Sequence, residues 1–208
     1  MPVTLSDKAY TSLFAMIQER RLPGGVPLVE QQLASLIGVS RTPLRSALQR
    51  LEMEGLLNKD ANKSYVVRKV ELKEYLQSLR VRELLEAEAA ALAVDRIAPE
   101  SIEKVRANLH VVQAKRPYDM ISHWRSDDEV HDLFILNCGN QIMTGMLQSL
   151  RVTTNLFEIE KLSERLEPDS KQHERILDAL EARDGKAARR AVAAHIRSLF
   201  QFAVRAVK

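Results

Sequence analysis

Three histidines of the 208-residue chain, His131, His173 and His195, combine a metal-binding side chain with suggestive spacing. Each lies on the apolar stripe of a different helical pattern. His131 aligns with Ile135, His173 with Ile176, Leu177 and Leu180, and His195 with Val192, Leu199 and Ala203. Asp127 stands one helical turn before His131, so both side chains can face one centre. Three imidazoles and a carboxylate converging inside a bundle suit Zn, Ni or Mn, with positions left for water or a ligand. The competing reading is a set of satisfied core histidines, because an inward imidazole on its own is more often packing than a ligand. His110 and His123 show no convergent partners and read as surface residues, and Trp124, Cys138, Met143 and Met146 read as packing.

A second constellation lies near the N-terminus. Leu44, Ala47, Leu48 and Leu51 mark the buried side of a short helix, which leaves Arg41, Thr42, Arg45, Ser46 and Gln49 on the opposite face. An arginine can grip guanine O6 and N7 with two hydrogen bonds, a pairing that discriminates by roughly 1–3 kcal/mol. Ser40 and Thr42 add hydroxyl donors where the helix N-terminus already favours a phosphate. Alternatively, two arginines simply solvate an exposed face. The charge distribution speaks against this: residues 1–70 carry 10 Lys and Arg against 6 Asp and Glu, whereas residues 71–208 carry 21 against 22. The basic excess of a chain with net charge +3 therefore sits in its first third, as expected if only that part meets a polyanion.

The elements that must position these residues divide at about residue 70. Before it, Tyr10, Leu13, Phe14 and Ile17 mark a first helix, Leu33, Ala34 and Ile37 a second, and Ser40 caps a third that ends near Gly55. Gly38-Val39 forms the tight turn between the second and third helices, which is helix-turn-helix spacing. Leu56-Leu57 and Tyr65-Val66-Val67 flank the polar turn Asn58 to Ser64 and predict a small β-hairpin. Its Lys59, Lys63, Arg68 and Lys69 are placed to meet backbone phosphates as a wing. Beyond Val70, helical patterns run over 72–97, 99–114, 117–137, 139–165, 169–183 and 186–206, punctuated by Pro99, Pro117, Cys138-Gly139, Pro168-Asp169 and Asp184-Gly185. The fold predicted is mainly α: a winged helix-turn-helix over 1–70, then an antiparallel six-helix bundle over 71–208 for effector binding and dimerisation. No run of about 18 apolar residues offers a membrane span. Met1 to Tyr10 lacks a basic-then-apolar layout, and a single cysteine suits a reducing compartment, so a cytoplasmic protein is expected.

The run from Leu28 to Arg45, with its Gly-Val-Ser-Arg-Thr-Pro-x-Arg core, followed by Ala47-Leu48 and Leu51 to Leu56, resembles the winged helix-turn-helix of the GntR family. The resemblance covers about Tyr10 to Val70. It implies operator contact by Arg41 and Arg45, supported by Ser40 and Thr42; Gln49 on the exposed face and Lys63 in the hairpin are further DNA-facing candidates by their own placement. The family often carries glycine at the wing tip, where this chain has Asn62-Lys63-Ser64. Residues 72–206 resemble the FCD ligand-binding domain of the FadR subfamily. The matching stretches are Arg82-x-x-x-Glu86, Asp127-x-x-x-His131 with Asn140, His173-Glu174-x-Ile176-Leu177, and Ala187 to His195. That likeness implies a divalent metal on Asp127, His131, His173 and His195 with a carboxylate effector beside it, and six helices match the VanR-like branch. Arg82, Arg151 and Asn140 are the candidate effector contacts, Arg82 alternatively pairing with Glu86 one turn on.

The function this predicts is a dimeric repressor on a palindromic DNA operator, controlled by a small organic acid. One rival is a regulator that senses the metal itself. Another is a metal-dependent hydrolase, but no separate general base or His-Glu-x-x-His motif is present, and it leaves the first 70 residues without a role.

Overall fold

In the computed structural model, which describes residues 4–157 and 162–206, the chain is mainly helical with one small antiparallel hairpin. The described residues divide into two units. One runs to Glu71 and also takes in Val152–Phe157, and the other comprises Leu72–Arg151 with the residues from 162 onward.

In the first unit, α1 (Leu5–Gln18) opens with a capping box in which Thr4 and Asp7 exchange hydrogen bonds. It buries Ala9, Leu13, Met16 and Ile17 against α3 (Arg41–Met53), whose Leu44, Ala47, Leu48 and Leu51 are fully buried. Between them α2 (Glu30–Ile37) ends on Gly38, which adopts φ 72° and ψ 45°. A side chain there would be strained, and that left-handed residue turns the chain into α3. The hairpin pairs β1 (Leu57–Lys59) with β2 (Tyr65–Val67) in the register Leu57 to Val67 and Lys59 to Tyr65. The Pro23–Pro27 stretch, expected only as a break, also bridges to the sheet at Gly24 and Pro27. Backbone bonds from Gly25 to Val67 and from Leu28 to Tyr65 anchor it there.

Among the described residues the second unit holds six α-helices: α4 (Leu72–Ala93), α5 (Pro99–Ala114), α6 (Met120–Ile135), α7 (Gln141–Leu156, whose last residues group with the first unit), α8 (Leu166–Glu181) and α9 (Gly185–Ala206). α9 packs along α4 and α8, α5 packs on α6 and α8, and α6 also touches α4 and α8. Asp119 caps α6 by accepting from the Ile121 and Ser122 amides. One boundary differs from expectation. The fourth predicted helix does not continue to 165: α7 stops at Leu156, and a 3-10 turn at Leu162–Arg165 leads straight into α8. Pro168 therefore does not separate helices. It lies in the first turn of α8, where a missing N–H leaves no hydrogen bond unmade. No helix among the described residues is long and apolar enough to cross a membrane.

Candidate DNA-reading face and metal centre

On α3 the residues predicted to face DNA are all exposed. Arg41, Thr42, Arg45 and Gln49 rise on one side of the helix, and Ser40 stands at its N-cap. The Ser40 hydroxyl makes no capping bond to the backbone, so it is not consumed by the helix it starts. Arg45 Nε donates to Glu30 Oε2 at 2.7 Å and Arg41 Nη2 to Gln31 Oε1 at 3.4 Å, both acceptors lying on α2. Pairs this exposed contribute about 0–1 kcal/mol, so either guanidinium can exchange its partner for a base edge or phosphate at little cost. In the wing, Asp60 Oδ1 accepts from the Asn62 and Ser64 amides, and Lys63 adopts φ 61°. Lys63 thus occupies the left-handed position that usually favours glycine, and its side chain is exposed at the tip. The other wing cations are paired within the chain: Lys59 with Glu52, Arg68 with the Gly55 carbonyl and Lys69 with Glu71.

In the second unit the three histidines and the aspartate named from spacing come together. Asp127 and His131 project from α6, His173 from α8 and His195 from α9, with one ligand atom of each within 4.8 Å of the others. Asp127 Oδ1 lies 3.4 Å from His173 Nε2, 3.7 Å from His131 Nε2 and 4.0 Å from His195 Nε2, and the His131 and His195 Nε2 atoms are 3.3 Å apart. All three imidazoles are buried.

The surroundings of the imidazoles decide their tautomers. His131 Nδ1 lies 2.5 Å from Glu86 Oε2, and the other Glu86 oxygen accepts from Arg82 Nε at 2.5 Å. Burial pushes the Glu86 carboxyl up, but Arg82 and His131 outweigh it and hold the group well below the usual carboxylate range. An ionised carboxylate can only accept, so His131 Nδ1 carries the proton. His195 Nδ1 lies 2.9 Å from Gln172 Oε1, while Gln172 Nε2 donates to Ser198 Oγ at 2.9 Å, so this Nδ1 is also the protonated one. Both Nε2 atoms are then bare lone pairs facing each other at 3.3 Å, and His173 Nε2 is buried with no hydrogen-bond partner. Burial keeps His131 and His195 neutral, so a proton does not relieve the clash.

Two lone pairs and a third imidazole converging beside an ionised carboxylate are what a cation needs. For Asp127, burial opposes ionisation, but His131, His173 and Arg151 hold the carboxyl well below its ordinary value. Bonds of about 2.0–2.2 Å to one ion place neighbouring ligand atoms roughly 3–4 Å apart, the separation seen here. The residues present therefore fit a divalent metal.

Other candidates settle differently. Arg82 is fully buried and its Nε is committed to Glu86, so it braces the carboxylate behind His131 rather than opening to a ligand. Arg151 Nη2 spans Asp127 and Asp128, and its Nη1 is buried with no hydrogen-bond partner. Asn140 is exposed and accepts from the Met143 amide at the start of α7. His123, read as a surface residue, is buried: its Nε2 lies 3.4 Å from Asp169 and its Nδ1 3.0 Å from the Tyr118 hydroxyl. Sequence reasoning also missed Gln172, Arg165 and Asp169. A usable signal existed, since Asp169 precedes His173 by the same four residues that separate Asp127 from His131.

The comparisons agree with this architecture. Residues 5–67 match the bacterial regulatory proteins of the gntR family, and residues 77–198 match the FCD domain. The chain is 25% identical over 181 residues to the HTH-type transcriptional repressor RspR of Escherichia coli, covering 84% of this chain and 78% of that one. The solved structure of E. coli McbR/YncC superposes with a TM-score of 0.83 at 23% identity and full coverage of both chains. Lar, which controls expression of the Listeria monocytogenes agr system, gives 0.60 at 21% identity over 99% of each chain. With an exposed helix-turn-helix face in one unit and an FCD domain in the other, the chain is a DNA-binding transcription regulator of the GntR family.

Proposed function

We propose that the chain is a metabolite-controlled repressor that binds a palindromic operator as a homodimer and carries a divalent metal in its FCD domain. Arg41 and Arg45 read base edges in the major groove, Gln49 extends that contact, Ser40 and Thr42 meet phosphates, and Lys63 reaches the backbone from the wing. Asp127, His131, His173 and His195 hold the metal. Bound there, it supplies a Lewis-acidic site for an anionic oxygen. The single observation that carries this reading is the pair of bare Nε2 atoms facing each other inside the core beside the Asp127 carboxylate, an arrangement that a shared cation satisfies.

The effector is a small organic acid. Arg151 is the side chain best placed to meet it, since its Nη1 lacks a protein acceptor. An effector regulates only if it binds one arrangement of the two heads more tightly than the other.

The test is operator binding measured after chelation, after reloading with Zn, Ni or Mn, and with a panel of organic acids. The expected result is release from the operator by one acid with metal present and none without it. Release by metal alone identifies a metal sensor, and acid response surviving chelation removes the metal from the mechanism.

A further inference from the structure

A serine buried in a helix can satisfy its hydroxyl on the carbonyls of the preceding turn. Ser78 Oγ donates to the Tyr75 carbonyl at 2.8 Å and Ser170 Oγ to the Leu166 carbonyl at 2.7 Å. Ser126 on α6 does not. It is 4% exposed, and its hydroxyl has no hydrogen-bond partner. A buried hydroxyl left unpaired costs free energy, so its presence calls for a partner from outside the chain.

Space for such a partner exists. α5 and α6 leave between them a groove of about 580 Å³, and Ser126 is the buried residue of its lining. That volume falls within the range of small-molecule sites. Val111 and Val112 form an apolar wall on α5. On α6, Arg125 is exposed at the rim, and among the described residues its guanidinium has neither an ion pair nor a hydrogen bond. The carboxylate of the lining, Glu129, already accepts from Asn108 Nδ2 at 2.7 Å. Lys115 Nζ is shared between Asp119 and Ser122 Oγ, an exposed arrangement that can be exchanged at little cost. None of Asp127, His131, His173 and His195 lines this groove. Ser126 and Asp127 are neighbours on α6, so their side chains diverge by about 100°.

We propose that this groove binds a small amphipathic organic anion, at a site separate from the metal centre. The acid group meets Arg125, and Lys115 turns from Asp119 to join it, because an unpaired guanidinium grips a carboxylate or sulfonate with two parallel hydrogen bonds. The apolar body lies on Val111 and Val112. A polar atom of that body reaches Ser126 Oγ, which can donate or accept. A cationic ligand would be repelled by Arg125 and Lys115, and a wholly apolar one would leave Ser126 unpaired. Nothing in this assignment depends on a metal being bound.

The experiment titrates 8-anilinonaphthalene-1-sulfonate, an anion with an apolar aromatic body that fluoresces on leaving water, into the full chain. The parent binds it, decanoate displaces it, and decyltrimethylammonium does not. Arg125→Gln weakens binding roughly tenfold, through loss of a charge-assisted hydrogen bond. Val111→Glu, at a position 65% exposed, weakens it by a similar factor, whereas Val111→Lys does not. Ser126→Ala also weakens binding, yet keeps or raises the melting temperature of the free protein because it removes an unpaired hydroxyl. The variants at the exposed Arg125 and Val111 carry the test if Ser126→Ala does not fold. A parent that binds no probe, equal binding by parent, Arg125→Gln and Val111→Glu, or displacement by the cationic amphiphile overturns the proposal. So does a folded Ser126→Ala protein that melts lower than the parent, since its hydroxyl would then have been satisfied within the chain.

Discussion

Replacing Glu86 by Gln tests the buried support of the metal centre most directly. The change preserves shape but removes a charge from a residue fully enclosed between Arg82 and His131. Arg82 is then left buried opposite a neutral amide, and neutralising one member of a buried pair costs about 3–5 kcal/mol. Against a total stability of roughly 5–15 kcal/mol, that is a severe loss. It lowers the urea midpoint of the metal-free protein by ~1 M or more. The second consequence concerns metal affinity. His131 loses an anionic acceptor at Nδ1, and loss of such a partner weakens metal binding about 10–100-fold, which is roughly 1.4–2.7 kcal/mol. Urea unfolding of chelated protein and competition with a chromophoric chelator measure the two effects separately. The double variant Arg82→Leu with Glu86→Leu separates them further: removing both charges recovers much of the stability, because a buried ion pair contributes little over apolar packing, but leaves the affinity low, because leucine accepts no hydrogen bond. A Glu86→Gln protein that unfolds within about 0.5 kcal/mol of the parent and holds zinc equally well would refute the account of the site.

Three further outcomes follow from the geometry. Arg45→Ala is expected to lower operator affinity and relax specificity at one base pair, whereas Lys63→Ala weakens all sequences alike and reduces the salt slope by about 1; titrations at several salt concentrations with operator and scrambled duplexes distinguish them. Gly38→Ala, which forces a side chain into φ 72°, should destabilise the first unit by about 1 kcal/mol or more, read by urea unfolding. Burial, joined at His195 by the neighbouring histidines, depresses the pKa values of His131 and His195. The unfolded chain therefore takes up more protons below about pH 6.5, and chelated protein should lose stability as pH falls from there. The bound metal should persist below the same pH, because the neutral imidazole that coordinates it is retained until pH drops through the depressed values; metal release followed against pH by the chelator assay checks this.

Much of this protein was legible from local chemistry alone. The spacing of Leu33, Ile37, Leu44 and Leu48 around Gly38 specifies two helices and the turn between them, because each relation spans less than two helical turns. For the same reason the outward position of Arg41 and Arg45 follows once Leu44 and Leu48 face inward. His131, His173 and His195 were identifiable as inward residues from their own stripes. What no stripe reveals is which atoms meet across helices. The closeness of the three Nε2 atoms, the bracing of His131 by Glu86, the commitment of Arg82 to that brace and the burial of His123 against Asp169 all depend on how α4, α6, α8 and α9 are packed. The exposure of Met146, read from sequence as core, is likewise a tertiary result: periodicity marks an apolar face but does not say whether the same chain covers it. Sequence thus determined the direction of each side chain from its own helix, through short-range backbone geometry. Packing between helices distant in the chain decided the partners, because hydrogen bonds and coordination require distances of a few ångströms that no local pattern encodes.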